Sequence, residues 1–316
     1  MDISKYPFSK EAAELVQEEG YNIEDLAYHP DLKRARNRAL KRLFSSIEGK
    51  IDLTVDEIRP MNDVYSFIIS RIIVERIGDR FLRNRFAEHE AKRFLKLSEG
   101  ELLQNLVKLA EDSFEVSARM LDGKSIALLY DKYLELSRGL GGEKWRLVNR
   151  DIRKGEVIVS EKDFRRLLAE AIRIKILTPS EIKGELPKPL EDLASEICKA
   201  LEAKKESLPK KRIVGQLAPC MKELLRKASE GENLSHAARF ALAAYLLKIG
   251  WEKSKVVDIF RSIPDFKEKV AVYQVEQIAK RGYLPPSCSK LKSIGICVEE
   301  CGINNPISYG RRKRKE

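Results

Sequence analysis

Histidine, tryptophan and long apolar runs are scarce in this sequence. Its 316 residues include three histidines and two tryptophans. No stretch approaches the roughly 18 uncharged apolar residues that a membrane-spanning helix needs, and the opening residues MDISKYPFSKEAAELV lack the apolar core of a signal peptide. These absences argue against a membrane or secreted protein, so we expect a soluble, cytoplasmic protein without a membrane partner.

Two motifs of phosphate-transfer enzymes are also missing. Nucleotidyl transfer needs a close pair of carboxylates to hold two metal ions, and the sequence has no Asp-x-Asp element. It has no Gly-x-x-x-x-Gly-Lys-Ser/Thr phosphate loop either. The segment Glu88-His89-Glu90 comes nearest to a carboxylate pair, but alternate residues of a helix do not share a face, so we interpret it as charged helix surface. We therefore predict that the chain has no catalytic centre of its own.

The positive charge of the chain is concentrated in its last third. The net charge is +11; residues 1–206 hold 38 basic and 38 acidic side chains, whereas residues 207–316 hold 22 basic and 11 acidic side chains. A basic excess confined to one part of a chain indicates that this part binds a polyanion such as nucleic acid, while the neutral part serves another purpose. The alternative is that the charge only aids solubility.

Helical periodicity extends over most of the chain. The helices predicted before residue 207 span residues 10–19, 31–45, 61–78, 79–96, 98–110, 124–138, 160–177 and 190–205. Those predicted after it span residues 219–229, 234–249, 252–262 and 266–281. The remaining segment up to residue 310 is rich in Gly, Pro and Ser and is predicted to be irregular, so something must hold it in place.

One β element and one linker divide this helical pattern. Short β-branched runs flank Arg153-Lys154-Gly155, which predicts a β-hairpin. Prolines and the start of a basic run place a linker at residues 207–211. The sequence therefore predicts a mainly α protein of two helical domains, residues 1–206 with the hairpin and residues 212–316 without it.

Four of the five cysteines lie in the basic third, at Cys220, Cys288, Cys297 and Cys301. An intracellular protein rarely uses cysteines for disulfides, so this late cluster indicates thiolate ligands of a metal centre. The intervals between them are 67, eight and three residues. Four thiolates can hold a [4Fe–4S] cluster or a structural zinc ion, and the spacing alone leaves both open. The fifth, Cys198, is predicted to be a small core residue of a helix.

Four segments around these cysteines resemble a known family. LAPCMKELL, LSHAARFALAAYLLKIGW, YQVEQIAKRGYLPPSCSKLKSIGIC and CGINNPISYG are similar to the C-terminal domain of the large subunit of archaeal and eukaryotic DNA primases. The family pattern is matched by Pro219-Cys220, by His236 and Arg239 three residues apart, by Pro286-Ser287-Cys288, and then by Cys297 and Cys301. The resemblance covers about residues 215–310, and the first part of the chain resembles the family only in its helical character and length.

The resemblance implies the archaeal form of this regulatory large subunit, with one [4Fe–4S] cluster on the four cysteines. It also implies a division of labour. Residues 1–206 would dock a catalytic small subunit to form a heterodimer, and residues 212–316 would bind template DNA and the 5′ end of the RNA primer in DNA replication. A third primase subunit or a replicative polymerase stays open as a further partner.

Basic residues of the second domain are candidates for nucleic-acid contact. His236 and Arg239 lie one helical turn apart and share a face, and in the family this element contacts the 5′-triphosphate end of the primer. The alternative is a packed histidine and an arginine in an ordinary salt bridge. Lys222 and Arg226 are predicted to extend the basic surface, although each could equally be solvated charge.

Aromatic residues of this domain carry a weaker signal. Tyr273, Tyr283 and Trp251 could stack on bases, but aromatic residues at helical spacing are more often part of the core, and we predict that role for them. Two other hypotheses remain beside the primase subunit: a free-standing iron–sulfur or zinc protein of nucleic-acid binding or repair, and a zinc-stapled helical scaffold without a nucleic-acid role.

Overall fold

The computed structural model describes residues 2–309 except 124, 141, 142, 181, 183 and 208–216. The chain divides into two compact units, Met1–Lys204 and Lys205–Glu316. Most of the linker predicted at residues 207–211 lies outside the described residues, and Ser207 ends the last helix before it. The described residues are mainly α-helical, as the sequence predicts. Among them, no helix is both long and apolar enough to cross a membrane.

Helices α1 to α9 precede the undescribed stretch 208–216. They are α1 Lys10–Glu19, α2 Ile23–Tyr28, α3 Lys33–Glu48, α4 Met61–Ile77, α5 Arg80–Leu97, α6 Leu103–Phe114, α7 Tyr130–Ser137, α8 Glu161–Leu177 and α9 Lys188–Ser207. Helix α3 packs against α4, and α5 packs against α3 and α8. Helix α5 is therefore covered by neighbours on several sides, which buries polar as well as apolar positions along it.

A four-stranded antiparallel sheet with the order β1-β2-β4-β3 interrupts the helices. Its strands are β1 Ala118–Met120, β2 Ser125–Leu129, β3 Asp151–Arg153 and β4 Glu156–Ser160. The predicted hairpin is confirmed as β3–β4, with Arg153 paired to Glu156. Lys154 and Gly155 both have positive φ, at 51° and 81°. Two such residues make the turn whose twist matches that of the flanking strands.

The helix predicted at residues 124–138 is wrong in its first part, because Ser125–Leu129 forms strand β2. This run reads Ser-Ile-Ala-Leu-Leu, and Ile126, Ala127 and Leu128 are all buried. A short continuous apolar run has no period, so the sequence pattern does not distinguish a buried strand from a helix. Pairing of β2 with both β1 and β4 determines the outcome.

The interpretation of Glu88-His89-Glu90 as helix surface is also wrong. All three side chains are buried, with Glu90 only 1% exposed. Glu90 lies 2.9 Å from Arg42 Nη1 of α3 and accepts a hydrogen bond from His89 Nδ1 at 3.0 Å. The physical reason is that α5 lies against α3 and α4, whose basic and acidic side chains replace water around it.

Helices α10 to α14 form the second unit. They are α10 Pro219–Ser229, α11 His236–Lys248, α12 Lys253–Phe260, α13 Glu268–Arg281 and α14 Cys288–Ser293. The first four pack around one apolar core that includes Met221, Leu242, Val256 and Ile278. The short helix α14 lies within the segment predicted to be irregular, and Ser287 caps it by accepting the Lys290 N–H. The core of this unit thus supports the cysteine-bearing segment.

Candidate metal centre and nucleic-acid surface

Two of the four clustered cysteines begin helices. Cys220 is the second residue of α10, after Pro219 at the first helical position, where a proline costs no hydrogen bond. The Ala218 N–H donates to Tyr245 Oη of α11 at 3.2 Å, which fixes the start of α10 on the core. Cys288 is the first residue of α14. Backbone conformations at two helix starts therefore set the directions of these two side chains.

The other two cysteines lie on the irregular chain that follows α14. The Cys297 N–H donates to the Leu291 carbonyl at 3.3 Å, and the Cys288 N–H donates to the Asn304 carbonyl at 2.9 Å. The thiols of Cys297 and Cys301 both donate to the Glu299 carbonyl oxygen, at 3.3 and 3.4 Å. These bonds fold the segment back on itself and bring its two cysteines close together.

All four cysteines line a single cavity of about 340 Å³, together with Leu291 and Pro306. The structure therefore brings together the four cysteines that the sequence indicates as metal ligands. A single zinc ion would draw four sulfurs to about 2.3 Å from one point, whereas an iron–sulfur cluster occupies a larger space between its four thiolates. The four thiol donors and the size of the cavity that they line fit a four-thiolate cluster. Among the described residues, no three His, Cys, Asp or Glu side chains lie ready to hold one ion.

The electrostatics of the thiols reflect their proximity. Burial, followed by the neighbouring Cys288, Cys297 and Cys301, raises the pKa of Cys220 to about 11. Burial and the neighbouring Cys297 and Cys301 likewise raise the pKa of Cys288. Four thiolates packed together repel one another, and a bound cationic group would offset that repulsion and favour the ionised ligands.

His236 and Arg239 lie on one face of α11, as predicted. His236 is the exposed first residue of the helix, and Ser235 caps it by accepting the Ala238 N–H. Arg239 Nη2 lies 2.6 Å from Asp265 Oδ1 and 2.7 Å from Asn233 Oδ1. Its Nε donates to the Leu234 carbonyl at 2.9 Å. These bonds occupy Nε and Nη2 and include, with Asp265, the salt bridge of the alternative interpretation. They hold the side chain in one orientation and do not use Nη1.

Lys222 and Arg226 lie on α10 in different surroundings. Lys222 is exposed. Arg226 forms ion pairs with three carboxylates, Glu223, Glu230 and Glu232. Hydrogen bonds to Glu223 and Glu230 raise the pKa of Arg226. A guanidinium surrounded by carboxylates has little free charge for a phosphate, so the geometry favours the solvated-charge alternative for Arg226.

The prediction that Tyr273 and Tyr283 are core residues is wrong, because they are 62% and 43% exposed. Arg281 Nη1 donates to Tyr283 Oη at 3.0 Å, and its guanidinium lies 6.0 Å from the centre of that ring. Tyr283 also meets Phe240 of α11 edge-on at 5.8 Å. Trp251 packs against the core as predicted. One sequence signal could have identified the two tyrosines as surface residues. Tyr273 precedes and Tyr283 follows the basic residues Lys280 and Arg281 at the end of α13.

These features define a class of protein: a helical chain of two units, the second of which is basic and gathers four cysteines around one cavity. Comparison with known proteins agrees. Residues 211–305 match the family model for the C-terminal domain of the eukaryotic and archaeal DNA primase large subunit. The chain is 34% identical to the DNA primase large subunit PriL of Methanocella arvoryzae, over 99% of this chain and 88% of that protein.

Other relatives give the same result. Identity is 32% to PriL of Methanococcoides burtonii, over 98% of this chain and 92% of that protein. It is 38% to PriL of Methanopyrus kandleri, over 52% of this chain and 42% of that protein. The chain therefore belongs to the archaeal DNA primase large-subunit family and is a regulatory component of a primase complex. Family membership favours this role over the free-standing protein considered from the sequence.

Proposed function

We propose that this large subunit has no catalytic centre, docks the catalytic small subunit through Met1–Lys204, and binds template DNA with the initiating nucleotide or primer 5′-triphosphate through Lys205–Glu316. One [4Fe–4S] cluster on Cys220, Cys288, Cys297 and Cys301 would hold the second unit together. The observation that carries the proposal is the meeting of these cysteines, from distant parts of the sequence, in one cavity of the basic unit.

The division of charge supports the division of labour. Residues 207–316 carry twice as many basic as acidic side chains, whereas residues 1–206 are balanced. Nucleic-acid binding depends on neutralising backbone phosphates, and a neutral unit is suited to a protein partner. Glu88 and Glu90 most resemble a metal-binding carboxylate pair in the sequence, but both form ion pairs instead. Glu90 pairs with Arg42, and Glu88 pairs with Lys92 at 3.3 Å. This supports a positioning role for the subunit rather than a catalytic one.

The second unit would act by holding the start of the primer. His236 and the Nη1 group of Arg239 offer hydrogen-bond donors to a 5′-triphosphate, and the ring faces of Tyr273 and Tyr283 offer platforms for bases. Cys220, Cys288, Cys297 and Cys301 would hold the cluster, which would supply a covalent tie between α10, α14 and the segment after it. With that tie, the residues that contact the primer keep their positions while the small subunit extends the 3′ end.

Replacing Arg239 with alanine is expected to reduce primer initiation at least tenfold and to change extension of a preformed primer less than twofold. The reason is that initiation needs the bound 5′-triphosphate, whereas extension takes place at the other end of the primer. Both rates are measured with the purified heterodimer on the same template. The matched control is Arg226→Ala, whose guanidinium is already neutralised by three glutamates. Equal loss of both activities in the Arg239 variant would count against the proposal.

Replacing Tyr273 with alanine is expected to weaken binding of a primed template about tenfold. Stacking of one base on an aromatic ring is worth about 1–3 kcal/mol, and this ring is among the most exposed of the second unit. Fluorescence anisotropy with a labelled template measures the dissociation constant. Tyr28→Ala removes a similarly exposed tyrosine of the first unit and serves as the control. If both variants bind like the wild type, Tyr273 does not stack on a base.

A further inference from the structure

The cavity that the four clustered cysteines line also carries charged side chains. Among the described residues around it, these are Lys292 of α14 and the neighbouring acids Glu299 and Glu300. The two acids lie in the segment Cys297–Cys301, here called the acidic loop, which reads Cys-Val-Glu-Glu-Cys. Residues 207–316 as a whole hold twice as many basic as acidic side chains. The cavity is thus a local exception to the charge of its own unit.

The charges around the cavity do not cancel. Lys292 Nζ forms an ion pair with Glu300 Oε1, which joins α14 to the acidic loop. Glu299 is exposed and has no ion-pair partner in the part of the chain that the structure describes. One cation and two carboxylates therefore leave one negative charge beside the sulfurs.

The backbone next to the sulfurs has the same polarity as these side chains. The Glu299 carbonyl oxygen lies 3.3 Å from Cys297 Sγ and 3.4 Å from Cys301 Sγ. The N–H groups of Cys288 and Cys297 donate to other carbonyls, at 2.9 and 3.3 Å. These N–H groups are thus used within the fold, and the negative end of a backbone dipole faces two of the four sulfurs.

This polarity affects an iron–sulfur cluster through its charge. Four thiolates outweigh the positive charge of the iron–sulfur core, and reduction adds one more electron to the group. The reduction potential depends on the net charge around the cluster and on hydrogen bonds to its sulfurs. A carboxylate at the edge of the cavity repels the added electron. More distant cations of the unit contribute little, because salt screens exposed charges beyond about 8–10 Å.

We propose that Glu299 and Glu300 lower the reduction potential of the cluster and so favour its oxidised form, and that Lys292 limits this effect by pairing with Glu300. This inference rests on the proposed function, since it needs the cluster on the four cysteines. The acidic loop then keeps the tie between α10 and α14 in one oxidation state, which suits a structural role for the cluster.

The test is a potentiometric titration of the full chain, purified without oxygen, with dithionite as the electron donor. Uptake of one electron is followed by the loss of visible absorbance and by the electron paramagnetic resonance of the reduced form. Glu299→Gln and Glu300→Gln are each expected to favour reduction about threefold, because each removes one negative charge. Together they are expected to favour it about tenfold, which is about 59 mV for a one-electron couple. Lys292→Gln is expected to disfavour reduction about threefold.

Two controls separate charge from fit and from the net charge of the unit. Glu299→Asp keeps the carboxylate and is expected to keep the potential of the wild type. Glu252→Gln removes an exposed glutamate that pairs with Lys255 at 3.2 Å outside the cavity, and it is expected to leave the potential unchanged. Iron content is measured first in every variant, so that potentials are compared only between chains that hold the cluster.

Each other outcome overturns the inference. If the iron-loaded variants of Glu299, Glu300 and Lys292 all keep the potential of the wild type, the acidic loop does not set it, and the proposed function stands. If Glu252→Gln shifts the potential as far as Glu299→Gln does, the net charge of the unit is responsible. If Glu299→Asp shifts it as far, the fit of the side chain is responsible. If the wild type is colourless and holds no iron, the cluster of the proposed function fails together with this inference.

Discussion

Replacing Cys220 with serine is expected to abolish the cluster and to destabilise the second unit. Cys220 is the most deeply buried of the four cysteines and the only one of them on α10. The 67 residues between Cys220 and Cys288 contain α11, α12 and α13. On the chain-entropy model, a tie that closes a loop of this length contributes about 4 kcal/mol.

The measurement is a spectrum with an iron and sulfide assay on protein purified without oxygen. The wild type is expected to be brown, with a broad band near roughly 400 nm and about four irons per chain. Cys220→Ser and the quadruple variant, in which all four clustered cysteines become serine, are expected to lose both. Thermal unfolding of the colourless variant shows the loss of stability independently of any primase activity.

The chain provides its own control for this experiment. Cys198 lies on α9 and is a partly buried cysteine outside the cavity. Cys198→Ser is therefore expected to keep the colour, the iron content and the unfolding temperature of the wild type. A colourless wild type with one zinc per chain would contradict the cluster, and a brown Cys220→Ser variant would contradict the ligand set. Neither result would change the family to which the chain belongs.

Local signals in the sequence predict much of the fold. The hairpin at residues 151–160 is predictable because Lys154-Gly155 suits the positive φ values that a two-residue turn demands. Gly20 and Gly78 end α1 and α4 with positive φ as the pattern indicates. Signals of this kind act within a few residues, so no tertiary contact is needed to interpret them.

What the sequence does not predict depends on neighbours that are distant along the chain. Strand β2 exists because β1 and β4 pair with its two edges. Glu90 is buried because Arg42, 48 residues earlier, provides its counter-charge. At the candidate site, the family motif places the cysteines, His236 and Arg239, but whether a basic residue is free or neutralised depends on tertiary packing. Arg239 is the example, since its ion-pair partner Asp265 lies 26 residues later in the chain.

Glu90→Gln is expected to destabilise the first unit by about 3–5 kcal/mol at pH 7, because it breaks the buried ion pair that joins α5 to Arg42 of α3. Removing one partner of a buried pair leaves the other charge without compensation. Of its ion-pair partners among the described residues, Arg42 would keep Asp63, at 3.5 Å, and His89 would lose the carboxylate that faces its Nδ1. The backbone at Asp52 and Thr54, between α3 and α4, is bound to His89 and Arg93 beside Glu90, so its amide exchange is expected to accelerate in this variant.

The pH dependence of the wild type offers an independent check. Burial tends to raise the pKa of Glu90, but Arg42, His89 and Arg93 outweigh it and hold the pKa at about 2, below the ordinary value of 4.5. The unfolded chain therefore binds a proton at Glu90 at a higher pH than the folded chain does. The stabilisation is complete above about pH 4.5 and is lost as the pH falls towards 2. At 1.36 kcal/mol per pKa unit, it amounts to about 3 kcal/mol.

Urea unfolding of the full chain followed by tryptophan fluorescence measures both effects. The sequence has two tryptophans, so a Trp251→Phe background leaves Trp145 as a reporter buried in the first unit. In this background Glu90→Gln is expected to lower the midpoint at pH 7 and to flatten its change between pH 4.5 and 2. Glu191→Gln breaks a solvent-exposed pair with Arg76 and is expected to leave the midpoint unchanged. An equal, small shift in both variants would mean that the buried pair of Glu90 and Arg42 does not stabilise the first unit.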